Sequence, residues 1–196
     1  MGSMREGNCR SRRMASSTLR SALLAVKGVA FDFDGVFTDN RVWVSDDGHE
    51  TVVCWRSDGL GLARLRKLDI PLAILSTEKN PVVSRRATKL KLTCIQGLDD
   101  KAAAFTELAA AHGLTPSDFA FVGNDVNDAE CLAMAGLAVV PADASPSVVP
   151  LAHLVLNAMG GRGAVREFCD RVCDARLTAP RRRPAGSNKT LKDGQT

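Results

Sequence analysis

Short, largely apolar runs alternate along this chain with longer stretches in which apolar residues recur at helical spacing. The apolar runs fall near 27–33, 70–75, 93–95, 119–122, 137–140 and 154–156, most of them closing on Gly, Pro, Ser, Asp or Asn. Runs of this length without polar alternation read as strands covered on both faces, the mark of a parallel sheet. Between them, residues 58–68, 81–91, 100–112, 128–135 and 163–175 carry helical spacing. Pro81 stands in a first turn and Gly113 closes the third of these helices. Strand–helix alternation predicts an α/β fold with a doubly wound parallel sheet. One segment departs from the pattern. Residues 41–45 and 51–55 are β-rich and flank Asp46-Asp47-Gly48, which predicts a hairpin. Both of its faces bear apolar side chains, Trp43 and Trp55 among them, so it is expected to pack against another subunit.

The chain has 196 residues, 45% hydrophobic and 24% charged, enough for one domain of ordinary size. That domain is expected over 25–177, between a mobile basic segment at 1–24 and a disordered basic tail at 178–196. The net charge of +4 is concentrated in these ends, and the chain has no Tyr. With few rings to stack bases, nucleic acid is not an expected partner. No apolar stretch approaches the roughly 20 residues of a membrane span. The six cysteines show no Cys-x-x-Cys spacing, which fits a reduced, cytoplasmic setting better than a disulfide framework.

Chemistry gathers where apolar runs end. The first run closes on Phe31-Asp32-Phe33-Asp34-Gly35, two acids with one residue between them. Open α/β sheets bind ligands beyond the carboxyl ends of their strands. If the pleat continues, Asp32 and Asp34 share one side of it. Two such carboxylates can share a hard cation, or one can attack while the other handles protons. They would equally serve as a helix cap and a turn residue. Ser76 follows the second run, where its hydroxyl and the next backbone amides, at a helix N-terminus, can bind a phosphate. Lys101 lies near a helix start, and Gly123-Asn124-Asp125-Val126-Asn127-Asp128 follows the run at 119–122. Each is weak alone; their order is not.

These segments resemble the haloacid dehalogenase superfamily. Together with Ser57-Asp58-Gly59-Leu60-Gly61, Pro141-Ala142-Asp143-Ala144 and Gly160-Gly161-Arg162-Gly163, they resemble its small capless phosphatases of 2-keto-3-deoxy sugar acid phosphates, over about residues 26–175. The resemblance implies a Rossmann-like fold with a hairpin flap and no cap domain. It implies that Asp32 is the nucleophile and forms an aspartyl-phosphate, and that Asp34 is the general acid and base. It implies Mg²⁺ held by Asp32, Asp34 and Asn124, with Asp125 and Asp128 acting through water or orienting the ligands. Ser76, Thr77 and Lys101 would bind the phosphoryl group, and Arg162 the substrate carboxylate. A basic residue that usually precedes the Asp-Gly after the hairpin is replaced by Ser57, with Arg56 one place earlier. Hairpins of four subunits would associate into a homotetramer.

Two departures bear on specificity. The first acid of the acidic turn is Asn124, which brings an oxygen without charge. After the second strand stands Ser76-Thr77-Glu78, where octulosonate phosphatases have a basic third residue. Glu78, with Lys89 on the following helix, points to a nonulosonic acid 9-phosphate of the KDN or sialic acid type. Alternatively Glu78 is a first-turn acid and the substrate is octulosonate 8-phosphate. A non-catalytic tetramerisation domain and a phosphotransferase are the other classes the resemblance leaves open.

Overall fold

The computed structural model describes residues 14–178; the expectations for residues 1–13 and for the tail beyond 178 lie outside the described residues. Six strands form one parallel sheet in the order β5-β4-β1-β6-β7-β8. They are β1 (Gly28–Phe31), β4 (Leu72–Leu75), β5 (Thr93–Ile95), β6 (Phe119–Val122), β7 (Leu137–Val140) and β8 (Leu154–Val155). β2 (Thr38–Val44) and β3 (Glu50–Cys54) form the separate antiparallel hairpin. The helices are α1 (Ser16–Ala25), α2 (Asp58–Leu65), α3 (Val82–Leu90), α4 (Lys101–Ala111), α5 (Ala129–Met134) and α6 (Ala164–Leu177).

The uninterrupted apolar runs are explained by the two layers they serve. Val29, Phe31, Ile74, Val122 and Val139 enter one core with Leu62, Val83 and Phe168 of α2, α3 and α6. Their neighbours Ala30, Ala73, Leu75, Phe121 and Val140 enter the other, with Phe105 of α4 and Leu132 of α5. Alternate residues therefore face opposite helix layers, and neither face tolerates a polar side chain. From β1 the chain winds outward through β4 to β5, then recrosses to β6 and continues to β7 and β8. The direction of winding changes between β1 and β6. In open parallel sheets a ligand crevice lies at such a switch, beyond the carboxyl ends of the strands.

The expected mobile segment is corrected at its C-terminal end. Ser16–Ala25 is a helix that buries Leu23 and packs Leu19 and Ala22 on the core beside α6. Arg20 Nη1 donates to Thr178 Oγ1 at 3.0 Å, and the Arg176 guanidinium donates to the Val26 carbonyl. The basic composition hid the helical spacing of Leu19, Leu23 and Val26. The hairpin pairs with no strand of the main sheet; Val52 and Cys54 lean on the core, while Trp43 is 70% and Trp55 45% exposed.

Candidate active site

The site begins with the turn that follows β1. Asp32 N donates to the Val122 carbonyl at 2.8 Å, extending the β1–β6 pairing by one residue. Asp32 thus keeps the orientation of Ala30, toward α4. The pleat then ends. Phe37 N donates to the Phe33 carbonyl at 2.8 Å, closing a turn that carries Asp34 on its outside. Phe33 and Phe37 are fully buried and stack with ring centroids 5.8 Å apart, so the turn is pinned from below. The expectation that the two acids share a face of the pleat is corrected: a turn, not strand alternation, brings Asp34 to the same cavity. That cavity, about 330 Å³, is lined by Asp32, Asp34, Asn40, Ser76, Thr77, Asn124, Asp125, Val126 and Asn127.

Its floor is a buried ion network. Lys101 Nζ lies 2.9 Å from Asp32 Oδ1 and 2.7 Å from Asp128 Oδ1. Lys101 is the first residue of α4, after Asp100 caps the helix by accepting from Ala103 N at 2.8 Å. A cation there opposes the helix dipole, and the two carboxylates offset that. Burial disfavours the lysine's charge, yet Asp32 and Asp128 hold its pKa above the usual value. Burial, reinforced by the nearby charge of Asp128 and opposed by Lys101, pushes the Asp32 carboxyl up to about 7. Asp34 is also raised, through burial first and the neighbouring charge of Glu78 and Glu50, against its hydrogen bond from Thr38.

The loop after β6 supplies the opposite wall. Asp128 Oδ2 accepts from Asn124 N at 2.8 Å and from Asp125 N at 3.4 Å. With Oδ1 on Lys101, both Asp128 oxygens are engaged, a geometry that suits orientation of the loop rather than direct ligation of a metal. A Cβ on Gly123 would lie 2.6 Å from the Asp128 carboxyl carbon, so only glycine permits this approach. Asp125 Oδ1 accepts from Val126 N and its side chain lines the cavity.

Among the described residues no group of three or more His, Cys, Asp or Glu side chains converges as a metal site. A mixed oxygen set does. The Asn124 side-chain oxygen faces only acceptors, the Asp34 carbonyl and Asp32 Oδ2; turned over, its nitrogen would donate to them at 2.8 and 3.2 Å. With the amide oxygen turned toward them, these two spacings match the roughly 3 Å edges of an octahedron with ~2.1 Å metal–oxygen distances, as Mg²⁺ requires. The donor chemistry fits the ion.

Ser76 is 2% exposed, and its hydroxyl oxygen accepts from Glu78 N at 3.1 Å, leaving its own proton for the cavity. It does not stand at a helix N-terminus, since α3 opens only at Val82. Of the amides that follow, those of Lys79 and Asn80 are taken up by Glu78 Oε1, at 2.6 and 2.7 Å, while Thr77 lines the cavity. The Glu78 carboxylate serves its own loop and is absent from the cavity lining. Lys89 is corrected as a site residue of its own subunit. It is exposed in the last turn of α3, seven residues or about 10 Å along the axis from the helix start. Arg56 is exposed at the hairpin root and does not line the cavity. Arg162 stands at the rim, its Nη2 3.9 Å from Asp39 Oδ2.

Two residues were missed. Thr38 Oγ1 donates to Asp34 Oδ1 at 3.3 Å and accepts from Gly35 N at 3.1 Å and Asn40 N at 3.2 Å. Asn40, in the left-handed region at φ 62°, lines the cavity. Asn tolerates that conformation, a signal that its place at the start of a predicted strand obscured.

A buried lysine between two carboxylates, a second acid beside them and an oxygen-lined crevice at the switch point of a parallel α/β sheet suit phosphoryl transfer to a carboxylate. No family model matches the chain. The chain is 39% identical over 140 residues to the 3-deoxy-D-manno-octulosonate 8-phosphate phosphatase KdsC of Yersinia pestis, covering 71% of this chain and 75% of that protein. A haloacid dehalogenase family hydrolase of Streptomyces avermitilis superposes with a TM-score of 0.73 at 44% identity, over 75% of this chain and 84% of that one. The octulosonate 8-phosphate phosphatase of Moraxella catarrhalis, solved with magnesium, phosphate and KDO, gives 0.79 at 30% identity, over 82% and 93%. The chain belongs to the haloacid dehalogenase superfamily, in its octulosonate phosphatase type.

Proposed function

We propose that this chain is a Mg²⁺-dependent phosphatase of a 2-keto-3-deoxy sugar acid phosphate, and that octulosonate 8-phosphate is its substrate. The observation that carries the reaction is the convergence of Asp32, Asp34, Ser76 and Asn124 at one strand-end crevice, with the Lys101 ammonium bonded to Asp32. In this reading the Asp32 carboxylate attacks phosphorus and the ester P–O bond breaks as Asp34 protonates the leaving alkoxide. Asp34 then takes a proton from the water that attacks the aspartyl-phosphate, which returns Asp32 and releases phosphate. The raised pKa of Asp34 suits its first role. The Lys101 ammonium and the Ser76 hydroxyl balance the charge on the phosphoryl oxygens, with Thr77 beside them. Magnesium held by Asp32, the Asp34 carbonyl and Asn124 supplies positive charge against the phosphate dianion.

The substrate reading is supported by the named substrates of the relatives and by Glu78, whose carboxylate is occupied by loop amides. One observation favours a nonulosonic acid 9-phosphate instead: the charge of Glu78 is felt at Asp34, so it lies near the crevice. Phosphate release with Mg²⁺ from octulosonate 8-phosphate, nonulosonate 9-phosphates and hexose phosphates separates the two. Preference for octulosonate phosphate, little changed in Glu78→Gln, is expected. Preference for a nonulosonate phosphate that Glu78→Arg abolishes would reverse the assignment. We further propose that the hairpin joins four copies of the chain. Val42, Trp43, Val44, Val53 and Trp55 are its exposed apolar residues, and light scattering of Trp43→Glu, expected to dissociate, is the test.

A further inference from the structure

Asn124 invites a closer look because its amide has two faces. The Asp34 carbonyl and Asp32 Oδ2 are both acceptors, and the Asn124 head group meets them edge-on. In one orientation the amide oxygen completes a set of three oxygens. In the other the nitrogen donates at 2.8 Å to the carbonyl and at 3.2 Å to the carboxylate, completing two hydrogen bonds. The head group cannot swing elsewhere: Asn124 is 8% exposed, and a Cβ on Gly35 would lie 2.0 Å from its side-chain nitrogen. Its backbone is anchored by the bond from Asn124 N to Asp128 Oδ2. The two orientations differ by a half-turn of the terminal amide, without displacement of the backbone.

We propose that Asn124 is an amide switch. Without metal it closes the site as a hydrogen-bond donor; with metal it turns over and becomes a ligand. An aspartate in its place can do only the second, because three unprotonated oxygens repel when nothing lies between them. The switch leaves the metal-free site formed and electrostatically satisfied, and it makes the ion compete with two hydrogen bonds for the same oxygens. This inference rests on the proposed metal site but on no particular substrate, and its test measures binding and stability rather than turnover.

The comparison is wild type against Asn124→Asp, each in chelator and across a Mg²⁺ titration. In chelator the variant is expected to melt about 3 °C or more below wild type. By calorimetry it is expected to bind Mg²⁺ about tenfold or more tightly, with a larger metal-induced rise in Tm. A variant that melts with or above wild type in chelator, or binds Mg²⁺ with unchanged affinity, overturns the switch. Should the variant not fold, the side-chain NH₂ resonances of Asn124 in the wild-type protein decide. A large shift of both at saturating Mg²⁺ supports the reversal, and resonances unmoved while calorimetry shows binding refute it. An active phosphatase without either signature would retain the proposed function and lose the switch alone.

Discussion

The floor and the rim of the crevice are built on different principles. On the floor, Asp32, Lys101 and Asp128 are no more than 4% exposed, and each charge is met by an opposite charge or an amide. At the rim, Arg162 and Arg56 are exposed, while Glu78 answers to the backbone of its own loop. A buried network is held to one geometry because every misplacement leaves an unpaired charge in low dielectric. Exposed side chains are held by little more than water. The difference teaches where chemistry and selectivity divide. On the proposed mechanism the floor carries phosphoryl transfer, and the rim is the part open to revision.

The sharpest way to break this contrast is to attack the floor without unfolding it. Asp32→Asn should lower phosphate release by at least about 10³-fold while leaving the oligomer unchanged by light scattering. Residual turnover within tenfold of wild type would remove Asp32 from the nucleophile's role. Lys101→Met probes the same network through stability. It strands two buried carboxylates, which should cost about 3–5 kcal/mol at pH 8 in urea unfolding. The loss should shrink toward pH 5, where Asp32, whose carboxyl burial already raises to about 7, takes up a proton. An unchanged unfolding midpoint at pH 8 would mean that the network is not a structural unit.

How much of this was legible in advance follows the same division. The strands were readable because burial on both faces erases polar alternation, and Asp32, Ser76, Lys101 and Asn124 were readable because they interrupt or follow such runs. The turn at Phe33–Phe37 was not. Its closure depends on two rings stacking beneath it, a contact between residues four apart that periodicity treats as one more apolar pair. Thr38 was overlooked for a related reason: its three hydrogen bonds exist only once that turn has formed. The rim misled where spacing stood in for direction. Glu78 sits beside the crevice in sequence, yet its carboxylate accepts from the two amides that follow it. Lys89 lies on the right helix, but that helix runs away from the strand ends. At the N-terminus the apolar spacing of Leu19 and Leu23 was present and was outweighed by the charges around it.

A second buried acid sharpens what pairing contributes. Burial pushes Asp58, like Asp32, up to about 7. Asp58 Oδ1 accepts from Arg166 N at 3.1 Å at the start of α6, but among the described residues neither Oδ2 nor the nearby Arg86 Nε has a hydrogen-bond partner. A carboxyl whose folded pKa is raised binds more protons folded than unfolded between pH 3.8 and about 7. Its contribution to stability therefore falls as pH rises through that window and levels off above it. The shift corresponds to as much as ~4 kcal/mol. Asp58→Asn keeps an acceptor for Arg166 N and removes the titration. Its stability relative to wild type should rise between pH 5 and pH 8, read from urea midpoints. Parallel pH profiles would show that Asp58 is paired in solution.

The smallest effect is expected where the rim meets the substrate. Among the described residues the Arg162 side chain pairs with Asp39 alone, at 3.9 Å; it is 57% exposed, and Arg41 holds the same carboxylate at 2.5 Å. A pair so placed contributes less than about 1 kcal/mol to folding, so Arg162→Ala should unfold within ~0.5 kcal/mol of wild type. If Arg162 meets the carboxylate of a sugar acid, its loss removes binding shared by ground state and transition state. KM for the sugar acid phosphate should then rise about three- to tenfold with kcat nearly constant. A simple hexose phosphate, having no carboxylate, should be turned over as before. Equal losses on both substrates would place Arg162 with the phosphoryl group, and the separation of floor from rim would no longer hold at that residue.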